Sequence, residues 1–545
     1  MAIQEPCIVC LTLTEHKCSS CQSVHYCSRE HQKQHWKQHK HECVPAKVKE
    51  DGKYGRYLEA TRNIKPGDVV MKETPLITGP AQVTPPVCLG CYILLEENKI
   101  VSCEKCGWPF CSESCTQNPV HTPECHYTQQ RGEKVSISTF GIPHPNYQSI
   151  TVLRCLYQRD HNQKLWSKIQ MLESHDEDRK GTDKWQNDKK MIADFIWKFF
   201  KLDGTFNMEE IMRCCGIVQI NGHEVPLMEP EYVAVFDKIS MVEHNCRANC
   251  NKSFSSEGQI ILSAGVNIPS GTHISVCYTD PLWGTEARRH HLSDQWFFEC
   301  SCERCSDVTE FGTMFSAVKC KKKDCRGYLL PDTFIQPILH KTKSPDPKTR
   351  GLDNKLWKCK SCKDEVTDAI IQQLLQDIGK ELSIMPKEDP DACERFIGHC
   401  SSYLHPCHYY MVDVSLALAQ MIGQDQNGVA MVMDDRLLLK TQLCRKITDL
   451  LEILAPAETR LRGSLLFELH AAVAETGRRK SLTDGPMVML GYVTESRKIL
   501  LESAALLAHE PPELPEGRLG KQARINLIQM DELIKNLSSA LPSPL

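Results

Sequence analysis

The cysteines and histidines of this chain fall into spaced groups whose side chains bind metal ions. The 545 residues include 30 cysteines and 22 histidines. Near the N-terminus eight of these side chains follow one another as four pairs: Cys7 and Cys10, Cys18 and Cys21, Cys27 and His31, His39 and Cys43. Thiolates and imidazoles are the usual zinc ligands, and eight of them complete two tetrahedral sites with no open position. Closed sites of this kind are structural, so the pattern predicts zinc that supports folding and not a catalytic metal.

The spacing also predicts which pairs share an ion. In so short a segment the usual solution interleaves the pairs, so the first and third bind one zinc and the second and fourth bind the other. The predicted sets are Cys7, Cys10, Cys27 and His31, and Cys18, Cys21, His39 and Cys43. Histidines 31, 35 and 39 recur at helical spacing, which puts both ligand histidines on one face of a helix.

A second group repeats this arrangement between residues 88 and 125. It again supplies eight ligands as four pairs, so it predicts two more closed zinc sites. The same interleaving gives the sets Cys88, Cys91, Cys111 and Cys115, and Cys103, Cys106, His121 and Cys125.

Two smaller groups follow later in the chain. Cys300, Cys302 and Cys305 supply only three ligands, so a fourth must come from elsewhere. Two pairs separated by a long loop, Cys320 and Cys325 with Cys359 and Cys362, predict a zinc ribbon with residues 344–351 as a loop inside it. For this last group unligated surface cysteines are the alternative.

Composition narrows the classes of protein that the chain can belong to. It is 41% apolar and 25% charged, which is enough apolar material for real cores. Its net charge of −4 excludes nucleic-acid binding by bulk charge, and direct DNA contact through the basic residues 319–323 is the weakest alternative. The N-terminus lacks an apolar signal-peptide core and no run of about 18 apolar residues appears, so we expect no membrane span. We therefore expect an unsecreted protein in a reducing compartment, where cysteines bind metal instead of forming disulfides.

The segments between the cysteine groups alternate between strand and helix patterns. Residues 52–76 and 231–300 predict short strands, with a turn at residues 65–68. Residues 149–215 predict helices separated by a charged stretch at 174–190, and the chain after about residue 366 is almost wholly helical.

Four short motifs and the order of the parts resemble the SMYD (SET and MYND domain) lysine methyltransferases. Residues 55–58, GRYL, resemble the family's cofactor loop GxGL, and residues 243–249, EHNCRAN, resemble NHSCxPN. Residues 271–278, GTHISVCY, resemble GEELxxxY, and residues 298–305, FECSCERC, resemble the post-SET zinc tail FxCxCxRC. Both eight-ligand groups resemble MYND zinc fingers, and the additional N-terminal finger suggests an arthropod-type branch of the family.

The resemblance implies an α+β fold. It implies a SET-domain β-fold split by a MYND finger, with a post-SET zinc site, a zinc ribbon and an all-α, TPR-like C-terminal domain. The implied segments are an N-terminal MYND-type finger (1–45), the first part of the SET domain (46–87), the inserted MYND finger (88–125), a helical SET insertion (126–215), the core SET (216–285), the post-SET tail (286–310), a ribbon-like segment (311–365) and the helical domain (366–545).

The resemblance also implies roles for individual residues. Tyr278 stands at the family's catalytic tyrosine, and Cys246 is the implied fourth ligand of the Cys300 group. With Cys246 included, 24 ligands account for about six zinc ions per chain. The implied contacts of the cofactor S-adenosyl-L-methionine are Gly55, Arg56, His175, Glu243, His244, Tyr278 and Phe298.

Two departures from the family motifs fall within this implied cofactor site. Tyr57 replaces a glycine that lets the backbone approach the cofactor, and its side chain either crowds the cofactor or points outwards. Glu243 replaces an asparagine. Our hypothesis is that the Glu243 carboxylate pairs with a cation of the cofactor, its sulfonium or its ammonium, while Arg56 pairs with the cofactor's carboxylate.

The resemblance implies protein-lysine N-methylation that uses S-adenosylmethionine, directed at histones and repressive for transcription. The alternative is a catalytically weak or inactive adaptor that recruits partners through its fingers and helical domain. The implied partners are a protein with a target lysine, such as a histone tail, and proline-rich peptides at the MYND fingers. We expect a monomer without direct nucleic-acid binding or membrane contact, in the nucleus and the cytoplasm.

Overall fold

The structure of the protein is a computed structural model that describes residues 5–18, 21, 24–40, 43–52, 55–335, 355–424 and 428–540. The predicted loop at residues 344–351 lies outside this described part of the chain.

The N-terminal finger consists of one small hairpin and one helix. Strands β1 (Glu5–Pro6) and β2 (Leu13–Thr14) pair antiparallel and precede helix α1 (Arg29–His39). Ser28 caps α1, because its hydroxyl accepts a hydrogen bond from the His31 amide at 3.2 Å. The helix carries both ligand histidines, as the spacing predicts.

Four strands separate the first finger from the second. Strands β3 (Ala46–Asp51) and β4 (Gly55–Ala60) form an antiparallel hairpin, followed by β5 (Val69–Glu73) and β6 (Ile77–Pro80). The predicted turn between β4 and β5 is present: the Asp68 amide donates to the Lys65 carbonyl at 3.0 Å, and Gly67 has a φ of +84°. Only glycine adopts such a φ without strain.

The second finger and a helical segment follow β6. The finger contains β7 (Val101–Ser102), β8 (Pro109–Phe110), α2 (Glu113–Thr116) and α3 (Thr122–Arg131). The helical segment contains α4 (Ile150–His161), α5 (Gln163–Gln170), α6 (Asp176–Arg179), α7 (Asp183–Asp188), α8 (Asp194–Phe200) and α9 (Met208–Asn221).

The charged stretch 174–190 does not merely separate two helical segments, as we expected. It contains α6 and α7, and its Arg179 and Asp188 form a buried ion pair at 2.8 Å. Buried charges are tolerated when they are paired, so a polar stretch can belong to the core. Helix α9 also continues to Asn221, beyond the boundary at residue 215 that we drew from the sequence.

The strands after α9 pair with strands that precede the second finger. They are β9 (Gly222–Val225), β10 (Tyr232–Val235), β11 (Glu243–His244), β12 (Cys250–Phe254), β13 (Ile260–Ala264) and β14 (Ser275–Val276). Two three-stranded sheets have the orders β6-β10-β9 and β12-β13-β5, and β11 pairs parallel with β14. The second finger is thus inserted between two parts of one β domain.

The predicted strand region 231–300 contains one α-helix, so the prediction is wrong there. Residues 285–296 form α10 (Thr285–Trp296), which is followed by α11 (Glu303–Ser306). Helix α10 buries the charged side chains of Arg288 and Arg289 together with Leu292. The sequence therefore lacks the apolar stripe that normally reveals a helix.

A four-stranded antiparallel sheet and a helical domain complete the chain. The sheet has the order β15 (Val318–Lys319), β16 (Tyr328–Pro331), β17 (Leu356–Cys359), β18 (Glu365–Thr367). The helices are α12 (Asp368–Ile384), α13 (Pro390–Cys400), α14 (Tyr409–Met421), α15 (Asp434–Leu454), α16 (Thr459–Asp484), α17 (Pro486–Leu506) and α18 (Pro515–Ala540). The predicted α+β class and helical C-terminal region are confirmed. Among the described residues, no helix has the length and apolarity that crossing a membrane requires.

Candidate zinc centres and cofactor site

The structure brings together the ligand atoms of both sets predicted in the first finger. Within each set the four ligand atoms lie within 4.8 Å of one another. In the first set Cys10 Sγ lies 3.4 Å from Cys27 Sγ, and His31 Nδ1 lies 3.1 Å from Cys27 Sγ. In the second set Cys21 Sγ lies 3.4 Å from His39 Nε2. The hairpin supplies the first cysteine pair and α1 supplies both histidines.

The second finger has the same construction. Its two predicted sets again hold their ligand atoms within 4.8 Å. Cys111 Sγ lies 3.6 Å from both Cys91 Sγ and Cys115 Sγ. A hydrogen bond from Cys91 lowers the pKa of Cys88 to about 5, so Cys88 is readily present as the thiolate that binds metal.

These distances fit the geometry of zinc. A tetrahedral ion with Zn–S bonds of about 2.3 Å holds its sulfur atoms about 3.8 Å apart. Neighbouring Sγ atoms in the two fingers lie 3.4–3.6 Å apart, and all four positions of each set are filled by protein atoms. The donor sets therefore fit structural zinc.

A buried carboxylate orients one ligand of the second finger. Glu124 Oε1 lies 3.0 Å from His121 Nδ1, while His121 Nε2 lies 3.3 Å from Cys106 Sγ. The Arg154 guanidinium of α4 bonds both Glu124 oxygens, at 3.0 and 2.5 Å. Carboxylates behind metal-bound histidines fix the ring orientation and strengthen the ligand. Burial alone would raise the pKa of Glu124, but Arg154 and His121 hold it below its usual value.

The Cys300 group obtains its fourth thiol from Cys246. Cys246 Sγ lies 3.5 Å from Cys305 Sγ and 3.9 Å from Cys300 Sγ, and all four ligand atoms lie within 4.8 Å. Hydrogen bonds from the thiols of Cys300, Cys302 and Cys305 lower the pKa of Cys246. This set joins the segment after β11 to the segment around α11.

Two buried arginines lie beside this cysteine set. Four thiolates around one Zn²⁺ carry a net charge of −2, which is costly in a protein interior. Arg288 and Arg304 both contact Glu310 Oε2, at 3.2 and 2.8 Å, and all three side chains are 0% exposed. Two guanidinium groups against one carboxylate leave one positive charge, which offsets part of the charge of the cysteine set. Arg304 also bonds the Pro281 carbonyl at 2.8 Å.

The ribbon cysteines are likewise close together. Cys320 Sγ lies 3.7 Å from Cys362 Sγ, and Cys325 Sγ lies 3.7 Å from Cys359 Sγ. Strands β15 to β18 hold the two pairs against each other, although the intervening loop lies partly outside the described residues.

The residues predicted to hold S-adenosylmethionine come from five separate segments, and the structure brings them to one region. Arg56 of β4 donates a hydrogen bond to the Met171 carbonyl at the end of α5, which joins the first motif to the loop that carries His175. The His175 ring lies 5.6 Å from the Phe297 ring, and the neighbouring Phe298 ring lies 5.8 Å from the His244 ring.

Tyr278 lies at the centre of this region. Its amide donates to His244 Nδ1 at 3.0 Å, its hydroxyl donates to the Val242 carbonyl, and its ring lies 5.2 Å from both the His244 and Trp296 rings. Burial, with the nearby charge of Glu243, raises the pKa of the Tyr278 hydroxyl. The hydroxyl therefore stays protonated at neutral pH, and because its proton is donated to the Val242 carbonyl, its oxygen is available as a hydrogen-bond acceptor.

Tyr57 and Glu243, the two departures from the family motifs, both contact His273. The Tyr57 ring stacks on the His273 ring with centroids 4.1 Å apart, and His273 Nδ1 lies 2.9 Å from Glu243 Oε2. Tyr57 is 7% exposed, so its side chain points into the protein. Glu243 and Arg56, which we expected to bind charges of the cofactor, both have protein partners here.

The region retains features that fit a bound cofactor. Gly55 has a φ of +65°, and no described heavy atom lies within 4 Å of the place where a side chain would begin, so the backbone is open to a ligand. Among the described contacts, Glu243 uses only Oε2, which leaves Oε1 for a cation.

A cleft lies on another side of Tyr278. It has a volume of about 230 Å³ and lies between the β domain and the junction of α15 with α16. Its wall includes Tyr278, Cys277 and Lys252 from the β domain, and Glu458 and Arg460 from the helical domain. Tyr278 thus contacts the predicted cofactor residues and also lines this cleft.

Comparison with known families matches the two kinds of domain that these features indicate. Residues 7–43 match the MYND finger family, and residues 55–279 match the SET domain family. The second finger lies inside the SET match, in agreement with its insertion between paired strands. The chain contains a MYND finger and a SET domain, the combination found in the SMYD proteins that it resembles.

Proteins similar to this chain come from animals and plants. It is 25% identical over 317 residues to the SET domain-containing protein SmydA-8, isoform A, of Drosophila melanogaster, a match that covers 57% of this chain and 63% of the relative. It is 27% identical to the human histone-lysine N-methyltransferase SMYD3, a match that covers 48% of this chain and 62% of the relative. It is 25% identical to the Arabidopsis thaliana histone-lysine N-methyltransferase ASHR1, a match that covers 51% of this chain and 59% of the relative. The chain therefore spans less than two thirds of the length of these relatives.

Several residues of this region were not identified from the sequence. Glu124 follows His121 by one helical turn, and that spacing could have indicated its role behind the zinc ligand. His273 replaces the second glutamate of the GEEL motif and could have been matched with Glu243. Lys252 and Arg154 gave no local signal, because their partners lie far away in the sequence.

Proposed function

We propose that this chain is a protein-lysine N-methyltransferase that uses S-adenosylmethionine. The observation that supports it best is the position of Tyr278, whose side chain contacts the predicted cofactor residues and also lines the cleft. Methyl transfer requires the methyl donor and the target amine to meet at one point from two sides, with the reacting atoms held in line.

The bound cofactor supplies a methyl group on a sulfonium, which is electrophilic. The chain's own residues then have three tasks. Phe298 and His244 line the cofactor face, the Tyr278 hydroxyl oxygen orients the target amine by accepting a hydrogen bond from its N–H, and the cleft excludes water from that amine. A lysine with a pKa of about 10.4 is protonated at neutral pH and cannot attack. Burial in a cleft lowers that pKa and favours the neutral amine.

We further propose that the substrate is a histone tail or another lysine-bearing protein and that methylation represses transcription. The MYND fingers would bind proline-rich peptides of partner proteins. We expect a monomer in the nucleus and cytoplasm, with about six zinc ions that stabilise the fold. The histone preference is supported by the names of the human and Arabidopsis relatives.

One observation favours a second candidate, a non-catalytic adaptor. Tyr57 fills the place of a motif glycine with a buried ring, and the Glu243 and Arg56 side chains already have protein partners. A chain that no longer binds the cofactor would keep its zinc sites and its helical surfaces for partner recruitment.

The experiment that separates the two candidates is methyl transfer from radiolabelled S-adenosylmethionine to histone octamers by the wild type and Tyr278→Phe. Removal of the hydroxyl should abolish most transfer and leave cofactor affinity, measured by calorimetry, nearly unchanged. Tyr403→Phe is the matched control, because it removes a hydroxyl from a tyrosine beside Lys321 of the ribbon. Equal transfer by the wild type and Tyr278→Phe would contradict the role of Tyr278, and absence of cofactor binding by the wild type would favour the adaptor.

A further inference from the structure

The cleft beside Tyr278 contains a lysine of the chain itself. Lys252 belongs to β12 and lines the cleft together with Tyr278. Its side chain is partly buried, and no described residue forms a hydrogen bond or ion pair with it. Lys252 therefore presents an unpaired ammonium to the cleft.

The other charged groups of the cleft wall are already engaged. Arg460 pairs with Glu510 at 3.0 Å, and the Glu510 side chain is 2% exposed. Glu458 is the N-cap of α16, and its carboxylate accepts a hydrogen bond from the Leu461 amide at 3.2 Å. Glu458 also does not come within ion-pair distance of Lys252 in the described contacts, although both line the same cleft. Burial raises the pKa of Glu458, which weakens it as a counter-charge.

An unpaired ammonium has two consequences for a ligand of this cleft. It repels the ammonium of an incoming lysine, because like charges in a partly buried cleft are poorly screened. It attracts a carboxylate, which would supply the partner that the protein does not provide. Burial and the nearby Arg460 guanidinium lower the pKa of Lys252, and the charges of Glu224 and Glu458, neither of which forms an ion pair with Lys252 among the described contacts, only partly oppose this shift.

We propose that Lys252 is a specificity-determining cation of the cleft, which binds the carboxylate of an aspartate or glutamate close to the target lysine. The ligand class is thus an acidic lysine-bearing peptide, so of the two substrate classes proposed above a lysine-bearing protein with acidic flanking residues is favoured over a basic histone tail. The proposal rests on the proposed function for the identity of the cleft as the lysine site, but carboxylate binding can be measured without methyl transfer.

The test measures binding of three fluorescein-labelled nonapeptides by anisotropy at fixed ionic strength. The first has a central lysine flanked by glutamates, the second the same lysine flanked by glutamines, and the third a central norleucine flanked by glutamates. The proteins are the full-length wild type, Lys252→Met, Lys252→Arg and Lys72→Met. Lys72 is the matched control, because it is an exposed lysine of β5 in the same sheet as β12.

We expect the wild type and Lys72→Met to bind the glutamate-flanked lysine peptide about tenfold more tightly than the glutamine-flanked one. Lys252→Met should lose this preference and Lys252→Arg, which retains the charge, should keep it. The norleucine peptide carries no ammonium for Lys252 to repel, so it should bind to the wild type at least as tightly as the glutamate-flanked lysine peptide. Equal binding of the two lysine peptides by the wild type, or a preference that persists in Lys252→Met, would overturn the proposal.

Methyl transfer to the same peptides is followed in parallel with radiolabelled S-adenosylmethionine. If the preference for the glutamate-flanked peptide depends on Lys252 but no peptide is methylated, the carboxylate site is supported and the proposed function is contradicted. Methyl transfer without a peptide preference supports the proposed function and contradicts the carboxylate site.

Discussion

Replacing Glu124 by glutamine tests the connection between the second finger and the helices behind it. The substitution keeps the shape of the side chain and removes its charge. Arg154 then has no anionic partner, and because its side chain is only 3% exposed, water cannot replace that partner. The Tyr92 hydroxyl and the Thr78 and Leu89 carbonyls still accept its hydrogen bonds, at 2.7–2.9 Å.

The magnitude follows from these contacts. Removing one partner of a buried charge pair typically costs about 3–5 kcal/mol. Three neutral acceptors remain around Arg154, so we expect a loss near the lower end, about 3 kcal/mol, in the local stability of the finger. His121 also loses the carboxylate behind its ring, and such a loss weakens metal binding about 10- to 100-fold.

The assay is zinc release to a chromogenic chelator, with hydrogen exchange of residues 88–131 measured by mass spectrometry. Glu124→Gln should release about two of its zinc ions at a lower chelator concentration than the wild type and should lose exchange protection in the second finger. The double variant Glu124→Gln with Arg154→Met removes both charges and should recover part of the lost protection. Zinc release at the wild-type chelator concentration would refute the reasoning.

The Glu124 carboxylate should also make the stability of the second finger depend on pH. The pKa of Glu124 in the folded protein is held below the value of about 4.3 for a free glutamate. Its contribution to stability is therefore complete above about pH 4.3 and is lost as the pH falls through the lower folded pKa. Glu124→Gln should lack this component of the acid sensitivity of the second finger.

Three further predictions concern the metal content and the cofactor site. Elemental analysis of the purified protein should give about six zinc ions per chain, and a value near two or three would contradict at least the ribbon and one finger. Cys302→Ser should lower the melting temperature and loosen the region around Phe298, because structural zinc contributes folding free energy directly; an unchanged melting temperature would argue against that site. Glu243→Asn should narrow the affinity difference between S-adenosylmethionine and S-adenosylhomocysteine measured by calorimetry, because it removes a carboxylate that favours the charged sulfonium. Tight wild-type binding of both ligands without preference would contradict this pairing but not the enzyme.

The sequence by itself indicated the zinc ligand sets of the two fingers. Two cysteines separated by two residues can reach one ion through a single tight turn, so ligand identity is encoded locally. The helical C-terminal region was equally visible, because its apolar residues recur at the helical period over more than one turn. The family resemblance then supplied Cys246 and Tyr278, whose roles depend on partners more than 20 residues away.

Only the tertiary structure decided how the altered cofactor residues relate to one another. Tyr57, Glu243 and His273 belong to three separate segments, and no local pattern predicts that they contact each other. Helix α10 was missed because two of its buried residues are arginines, and Arg288 pairs with Glu310, which lies outside the helix. From the sequence, Lys252 cannot be distinguished from any other strand residue. The cleft that it lines forms only where the helical domain packs beside β12. Charge pairing depends on distances in space, which local sequence spacing does not encode.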